Sequence, residues 1–109
     1  MNESIIPWKT ASSVFCAGVN SEGWNLARIP EGDIDVPRTF SAAITFSKPF
    51  QSTPLVHAAL TGFDLDQRDS ARISVAVSDV TAAGFVVSVT TWMETRVYGV
   101  EVSWLAIGE

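Results

Sequence analysis

Asp33 and Asp35 stand two residues apart in the polar stretch EGDIDVP, residues 31–37. Carboxylates so spaced allow three chemistries. They can be the acid and base of glycoside cleavage, which needs a deep cleft and subsites that a chain this short is poorly placed to build. They can stabilise a turn by accepting bonds from backbone N–H groups, the simplest reading. One of them can also accept bonds from neighbouring hydroxyls of a sugar. Arg72 lies on the polar face of an otherwise apolar run, ARISVAVSDV, where a surface ion pair is the ordinary role. Trp92 precedes Met93, Glu94, Thr95 and Arg96, which places it at a strand end beside a turn, and Tyr98 opens the next strand. A Trp and a Tyr bracketing a turn, with an Arg and an Asp available, can make a sugar site. The rings cover the apolar C–H face of a pyranose, and the charged groups grip its hydroxyls.

Other reactive residue types have plainer readings. Asp64, Asp66 and Asp69 could suggest calcium, but the spacing lacks the Gly and distal Glu of an EF-hand loop, so a solvated turn is expected. Cys16, the single cysteine, sits in SSVFCAGV among apolar neighbours and is expected to be a small buried hydrophobe. His57, the single histidine, lies in PLVHAAL and is expected on a strand, its ring on a backbone partner. These two make no nucleophile pair and no zinc-ligand spacing, so neither catalysis nor a metal or other cofactor is expected. Asn2-Glu3-Ser4 matches a glycosylation acceptor, a pattern common by chance.

The elements that position these residues are strands. In ARISVAVSDV, Ile73, Val75 and Val77 share one face, opposite Arg72, Ser74 and Ser78. In YGVEVSWLAI, Tyr98, Val100, Val102 and Trp104 share a face, opposite Gly99, Glu101 and Ser103. Trp104, inside this alternation, is expected in the core or a subunit contact. SVFCAG, WNLAR, SAAITF, PLVHAALTGFD and GFVVSVTTW are also strand-like, rich in β-branched and aromatic residues. SKPFQSTP, with two prolines, must be a connection, and DLDQRDS and DVTAAG read as turns. About six strands without a crossover helix predict an all-β fold, an antiparallel, immunoglobulin-like β-sandwich.

The chain has 109 residues, enough for one domain spanning 1–109, with residues 1–12 expected as an extension or arm. Hydrophobic residues make up 47% and charged residues 17%, which excludes a disordered chain. The net charge is −5, and the seven Lys and Arg are scattered, so no nucleic-acid partner is expected. No apolar run is long enough to insert into a membrane. The N-terminal MNESIIPWKTASS does not read as a secretory signal, and one cysteine allows no intrachain disulfide. Cytoplasmic storage and export by an unconventional route both fit.

The ordered set AITFSKPF, FD, GF, TW, VY and EVSWLAI, with its spacings, resembles the H-type lectin domain of snail agglutinins and of the C-terminal domain of discoidins. The resemblance runs from about Val14 to Ile107. It implies a six-stranded antiparallel sandwich assembling as a trimer, in some cases stacked into a hexamer. It implies binding of galactose or N-acetylgalactosamine on glycans, without catalysis and without a required metal. The family site lies between neighbouring subunits. On one subunit, Asp35 matches the loop carboxylate and Asp33 the backbone donor. On the neighbour, Arg72, Trp92 and Tyr98 match the arginine and the two aromatics. The residue after that Trp is a histidine in the snail agglutinin and reads the acetamido group, whereas here it is Met93. The disulfide cysteines of the snail protein are replaced by Gly18, Gln51 and Val89, so the resemblance does not imply an oxidising compartment. A second function on the same fold would be a structural or protein-binding trimerisation module with reduced sugar binding.

Overall fold

A computed structural model describes residues 8–29 and 35–109. Its strands are β1 (Lys9–Gly18), β2 (Arg38–Thr45), β3 (Leu55–Leu65), β4 (Ile73–Ser78), β5 (Gly84–Thr91) and β6 (Val97–Gly108). They form two three-stranded antiparallel sheets, ordered β1-β6-β3 and β2-β5-β4. The chain is thus an all-β sandwich. Because β1 begins at Lys9, residues 9–12 of the expected N-terminal arm belong to the sandwich; residues 1–7, with Asn2, lie outside the described part.

The inner strands carry the clearest alternation. Phe85, Val87 and Val89 of β5 face Val100, Val102, Trp104 and Ala106 of β6, all buried. Trp104 packs against Phe85 in a T-shaped pair at 5.3 Å and against Phe46 at 5.7 Å. Aromatic pairs of this kind are worth about 0.5–1.5 kcal/mol beyond their buried area. Trp104 is therefore a core residue, as the alternation predicts.

The outer face of β2-β5-β4 is unlike the rest of the surface. Its rows read Thr39–Thr90–Ser74, Ser41–Ser88–Ala76 and Ala43–Val86–Ser78. None of these residues is charged and none is larger than valine. Hydroxyls join across the strands at 2.9 Å, from Thr39 to Thr90 and from Ser41 to Ser88.

Three sequence expectations are corrected. WNLAR is a loop, not a strand: Trp24 is anchored by Nε1 on the Val97 carbonyl at 2.9 Å, and Leu26 is fully buried. The residues are apolar because they plug the sandwich end, and their carbonyls find partners without a ladder. Cys16 is exposed, since Phe15 and Ala17 take the inward positions and leave it on the outer face opposite Glu101. His57 lies on β3 as expected but is exposed on the outer face, opposite Leu105.

Arg38 opens β2 from the inward side and is 6% exposed. Its Nη1 donates to the Leu26 carbonyl at 3.3 Å and to that of Arg28. Its Nη2 donates to Met93 at 3.2 Å and Thr95 at 2.7 Å. One guanidinium thus closes the loop before β2 onto the link between β5 and β6. Replacing it orphans buried carbonyls, and a Lys cannot reproduce the planar fork. Arg38→Met should lower unfolding free energy by about 3–5 kcal/mol, and Arg38→Lys should recover only part of it, by urea denaturation.

Candidate functional site

The site end is the end at which β1 and β3 finish, β2 and β4 begin, and β5 passes into β6. The register fixes this, with Arg38 and Ile73 both opposite Thr91, Leu65 opposite Val97 and Gly18 opposite Gly99. The β5–β6 link, residues 92–96, crosses from one sheet to the other here and carries Trp92 and Met93.

Two buried threonines bind this link to the segment before β4. Thr95 Oγ1 donates to the Ser70 carbonyl at 2.7 Å and accepts from the Arg72 backbone N–H at 3.2 Å. Thr91 Oγ1 donates to the Arg72 carbonyl. The backbone of Arg72 is therefore held on both sides, next to the Trp92 turn. Its side chain is half-buried and donates from Nη1 to the Ser70 carbonyl at 3.3 Å. Among the described residues its guanidinium pairs with no carboxylate, so the surface ion pair read from sequence is not formed there.

Tyr98 owes its direction to a β-bulge. Asp64 pairs with Gly99 and Leu65 with Val97, so Tyr98 is the extra residue between them. Val97 and Val100 are both buried, three apart, while Tyr98 is half-exposed. Strict alternation would have sent Tyr98 into the core with Val100, and the bulge turns it out. The neighbouring strand fits closely: a Cβ on Gly18 would meet the Tyr98 carbonyl oxygen at 2.7 Å, and that carbonyl accepts from the Val19 N–H at 3.0 Å. Only glycine allows this approach.

The phenol of Tyr98 donates to Asp66 Oδ2 at 2.9 Å. Asp66 also accepts from Arg68 Nε and Nη2 and from the Arg68 backbone N–H. The Arg68 contacts, reinforced by the Tyr98 hydroxyl, hold the Asp66 carboxyl well below the usual carboxylate range. Asp69 forms an ion pair with Arg96 at 3.8 Å. Asp64 and Leu65 end β3, and the charged turn that follows, 66–70, is knitted by arginines rather than merely solvated; among the described residues no His, Cys, Asp or Glu cluster suits a metal. Sequence reasoning does not link Asp66 and Arg68 to Tyr98. An Asp followed two residues later by Arg is a local signal for such a turn, but nothing local points to Tyr98.

The structure brings Arg72, Trp92, Met93 and Tyr98 to the same end of the sandwich. Asp35 lies at that end too, exposed, but just ahead of β2, on the sheet edge opposite β4. Asp33 falls outside the described residues. Aromatic rings, an arginine and a carboxylate at a solvent-facing rim suit binding of a hydroxyl-rich ligand.

The model of the H-type lectin domain matches residues 41–107, well over half of the chain. The chain belongs to the H-type lectin domain family. That makes it a carbohydrate-binding lectin domain and not an enzyme, so the glycosidase reading of Asp33 and Asp35 falls. Four of the candidate residues lie inside the matched segment, and the two aspartates precede it. Two structures of discoidin II from Dictyostelium discoideum share this lectin domain's fold, at TM-scores of 0.69 and 0.70 and 20% identity. They cover 90% and 92% of this chain, which spans 36% and 37% of theirs. A protein of Fuscovulum blasticum, "ATP synthase subunits region ORF 7", is 36% identical over 72 residues, covering 66% of this chain and 63% of that protein. The chain therefore spans less than two thirds of each of these relatives.

Met93 adopts a left-handed backbone with φ of 59°. A long side chain rarely sits there, whereas asparagine does so routinely. The Arg38 bond to the Met93 carbonyl holds it in place. Met93→Asn should raise stability by about 0.5–1 kcal/mol in thermal unfolding.

Proposed function

We propose that this lectin domain binds terminal galactose or N-acetylgalactosamine of glycans, at sites shared between neighbouring subunits of a trimer. Asp35 of one subunit accepts bonds from vicinal hydroxyls, with Asp33 beside it contributing a backbone N–H. Arg72 of the next subunit donates to the ring substituents, and its Trp92 and Tyr98 wall the apolar face. The observation that carries this reading is the division of the candidates between opposite edges of one sheet. Arg72 heads β4 and Asp35 precedes β2, with β5 between them. One edge must meet the other edge of a second copy for these groups to converge.

The uncharged face of β2-β5-β4 supports such a closure. Three copies turning this face to a common axis would set the β2 edge of each against the β4 edge of the next. A closed ring follows from this head-to-tail contact. In a chain of net charge −5, a face free of charge is also where copies meet with least repulsion. Two trimers stacked end to end would give a hexamer. Single sugars bind weakly at shallow rims, so avidity across the sites supplies the working affinity.

Arg72→Ala and Asp35→Ala should each weaken galactose binding roughly ten- to hundredfold, by titration calorimetry, since each removes charge-assisted hydrogen bonds. Refolding the two weakened variants together should restore near wild-type affinity at a fraction of the sites, because a mixed ring contains interfaces with both groups intact. Failure of that mixture to regain affinity would refute the shared site. Ser88→Arg, at the centre of the uncharged face, should yield monomers in analytical ultracentrifugation and abolish binding; a trimer that survives it would rule out this face. Met93 carries no N–H donor. Met93→His should therefore shift preference toward N-acetylgalactosamine on a glycan array, and an unchanged profile would detach this residue from sugar choice.

A further inference from the structure

The Tyr98 hydroxyl points away from a free rim position and onto Asp66, at 2.9 Å. The Asp66 side chain is only 12% exposed, whereas its partner Arg68 is 70% exposed. Arg68 reaches Oδ1 through Nε at 2.9 Å and Oδ2 through Nη2 at 2.6 Å, and its backbone N–H meets Oδ1 at 2.9 Å. Both carboxylate oxygens are therefore fixed in direction before any ligand arrives. The backbone joins in: the Asp66 N–H donates to the Arg96 carbonyl at 3.0 Å, tying the β3–β4 link to the β5–β6 link. Arg96 in turn pairs with Asp69.

We propose that Asp66, oriented by Arg68, is a positioning and specificity-determining residue of the sugar site, acting through Tyr98. The proposal rests on the reading of Tyr98 as a wall of that site. A phenol has one proton to donate. With that proton committed to Asp66, the oxygen offers only lone pairs to a ligand. The group it selects is a donor: a sugar hydroxyl presenting its proton, or an amide N–H. Holding the ring before binding also removes the cost of ordering it during binding. The bulge turns the ring outward, and the Asp66 contact sets its tilt. The hydrogen bond to Asp66, then desolvation and the Asp66 charge, push the Tyr98 phenol above its ordinary range.

Tyr98 is the sole tyrosine, so phenolate absorbance on alkaline titration reports one group. In the wild-type protein it should ionise above an ordinary tyrosine. Asp66→Asn keeps an oxygen for the turn but removes the charge, and should return the titration toward the ordinary value. A titration unmoved by Asp66→Asn overturns the contact. Galactose affinity supplies the second readout. Asp66→Asn and Tyr98→Phe should each weaken binding about five- to tenfold, the span of one hydrogen bond, and the double variant should be no weaker than the worse single. Multiplicative losses would mean that Asp66 acts independently of Tyr98, which overturns the positioning role. A wild-type protein with the displaced titration but no galactose binding would overturn the sugar reading itself, and the positioning role with it. Sugar binding that is intact in Asp66→Asn overturns this inference alone.

Discussion

A single buried guanidinium organises the end of the sandwich that carries the candidate site residues. Arg38 enters from β2 and reaches carbonyls on both the loop before it and the link from β5 to β6. Neither segment has a ladder to satisfy its own backbone, and both are covered by apolar packing through Leu26, Trp24 and Val97. Burying so many carbonyls without partners would cost several kcal/mol in all. The arginine removes that cost at one point and fixes the relative placement of the two segments. Met93 shows the strength of this arrangement, since its unfavourable backbone conformation persists where the guanidinium holds its carbonyl. Among the described residues the Nε of Arg38 has no hydrogen-bond partner, and the hub is anchored there through its terminal nitrogens.

From that hub outward, each candidate side chain is placed by a different device. Thr91 and Thr95 grip the backbone around Arg72. A bulge turns Tyr98, and the missing side chain of Gly18 leaves room for it. Asp66 receives the phenol and is itself steered by Arg68. Most of the candidate groups lie on links, but the links are held by buried hydroxyls and charges rather than left to their own flexibility. That is the condition for a loop-borne site to be preorganised.

The strand pattern was legible because period two writes itself directly into sequence. Ile73, Val75 and Val77, and Val100, Val102 and Trp104, face inward as their alternation requires. The failures have specific causes. WNLAR has strand-like composition because it plugs an end, and composition cannot tell a plug from a strand. Cys16 is flanked by apolar residues, but the alternation assigns the interior to those neighbours. Tyr98 is no such failure: its place at the strand's start reads as solvent-facing although it shares parity with the core valines, and the bulge that turns it out is invisible without its partner strand. Arg38 escapes notice, and Asp66 reads only as part of a solvated turn, because the partners that matter lie far off in sequence: Met93 and Thr95 for one, Tyr98 for the other. Trp92 and Tyr98 stand out by strand-end position and residue type and Arg72 by its place on a polar face, and the family resemblance gives them their order and roles.

Sheets only three strands wide leave four of the six strands as edges, and an exposed edge invites the addition of foreign strands. The chain blunts three of them. Proline stands immediately before β2, at Pro37, and before β3, at Pro54. β3 is further broken by an irregularity after Leu60. β4 is only six residues long and is bracketed by Arg72 and Asp79. β1 has none of these guards: ten residues in unbroken register with β6, no proline, and no charge after Lys9. Among the described residues, β1 is therefore the edge most open to uncontrolled strand addition.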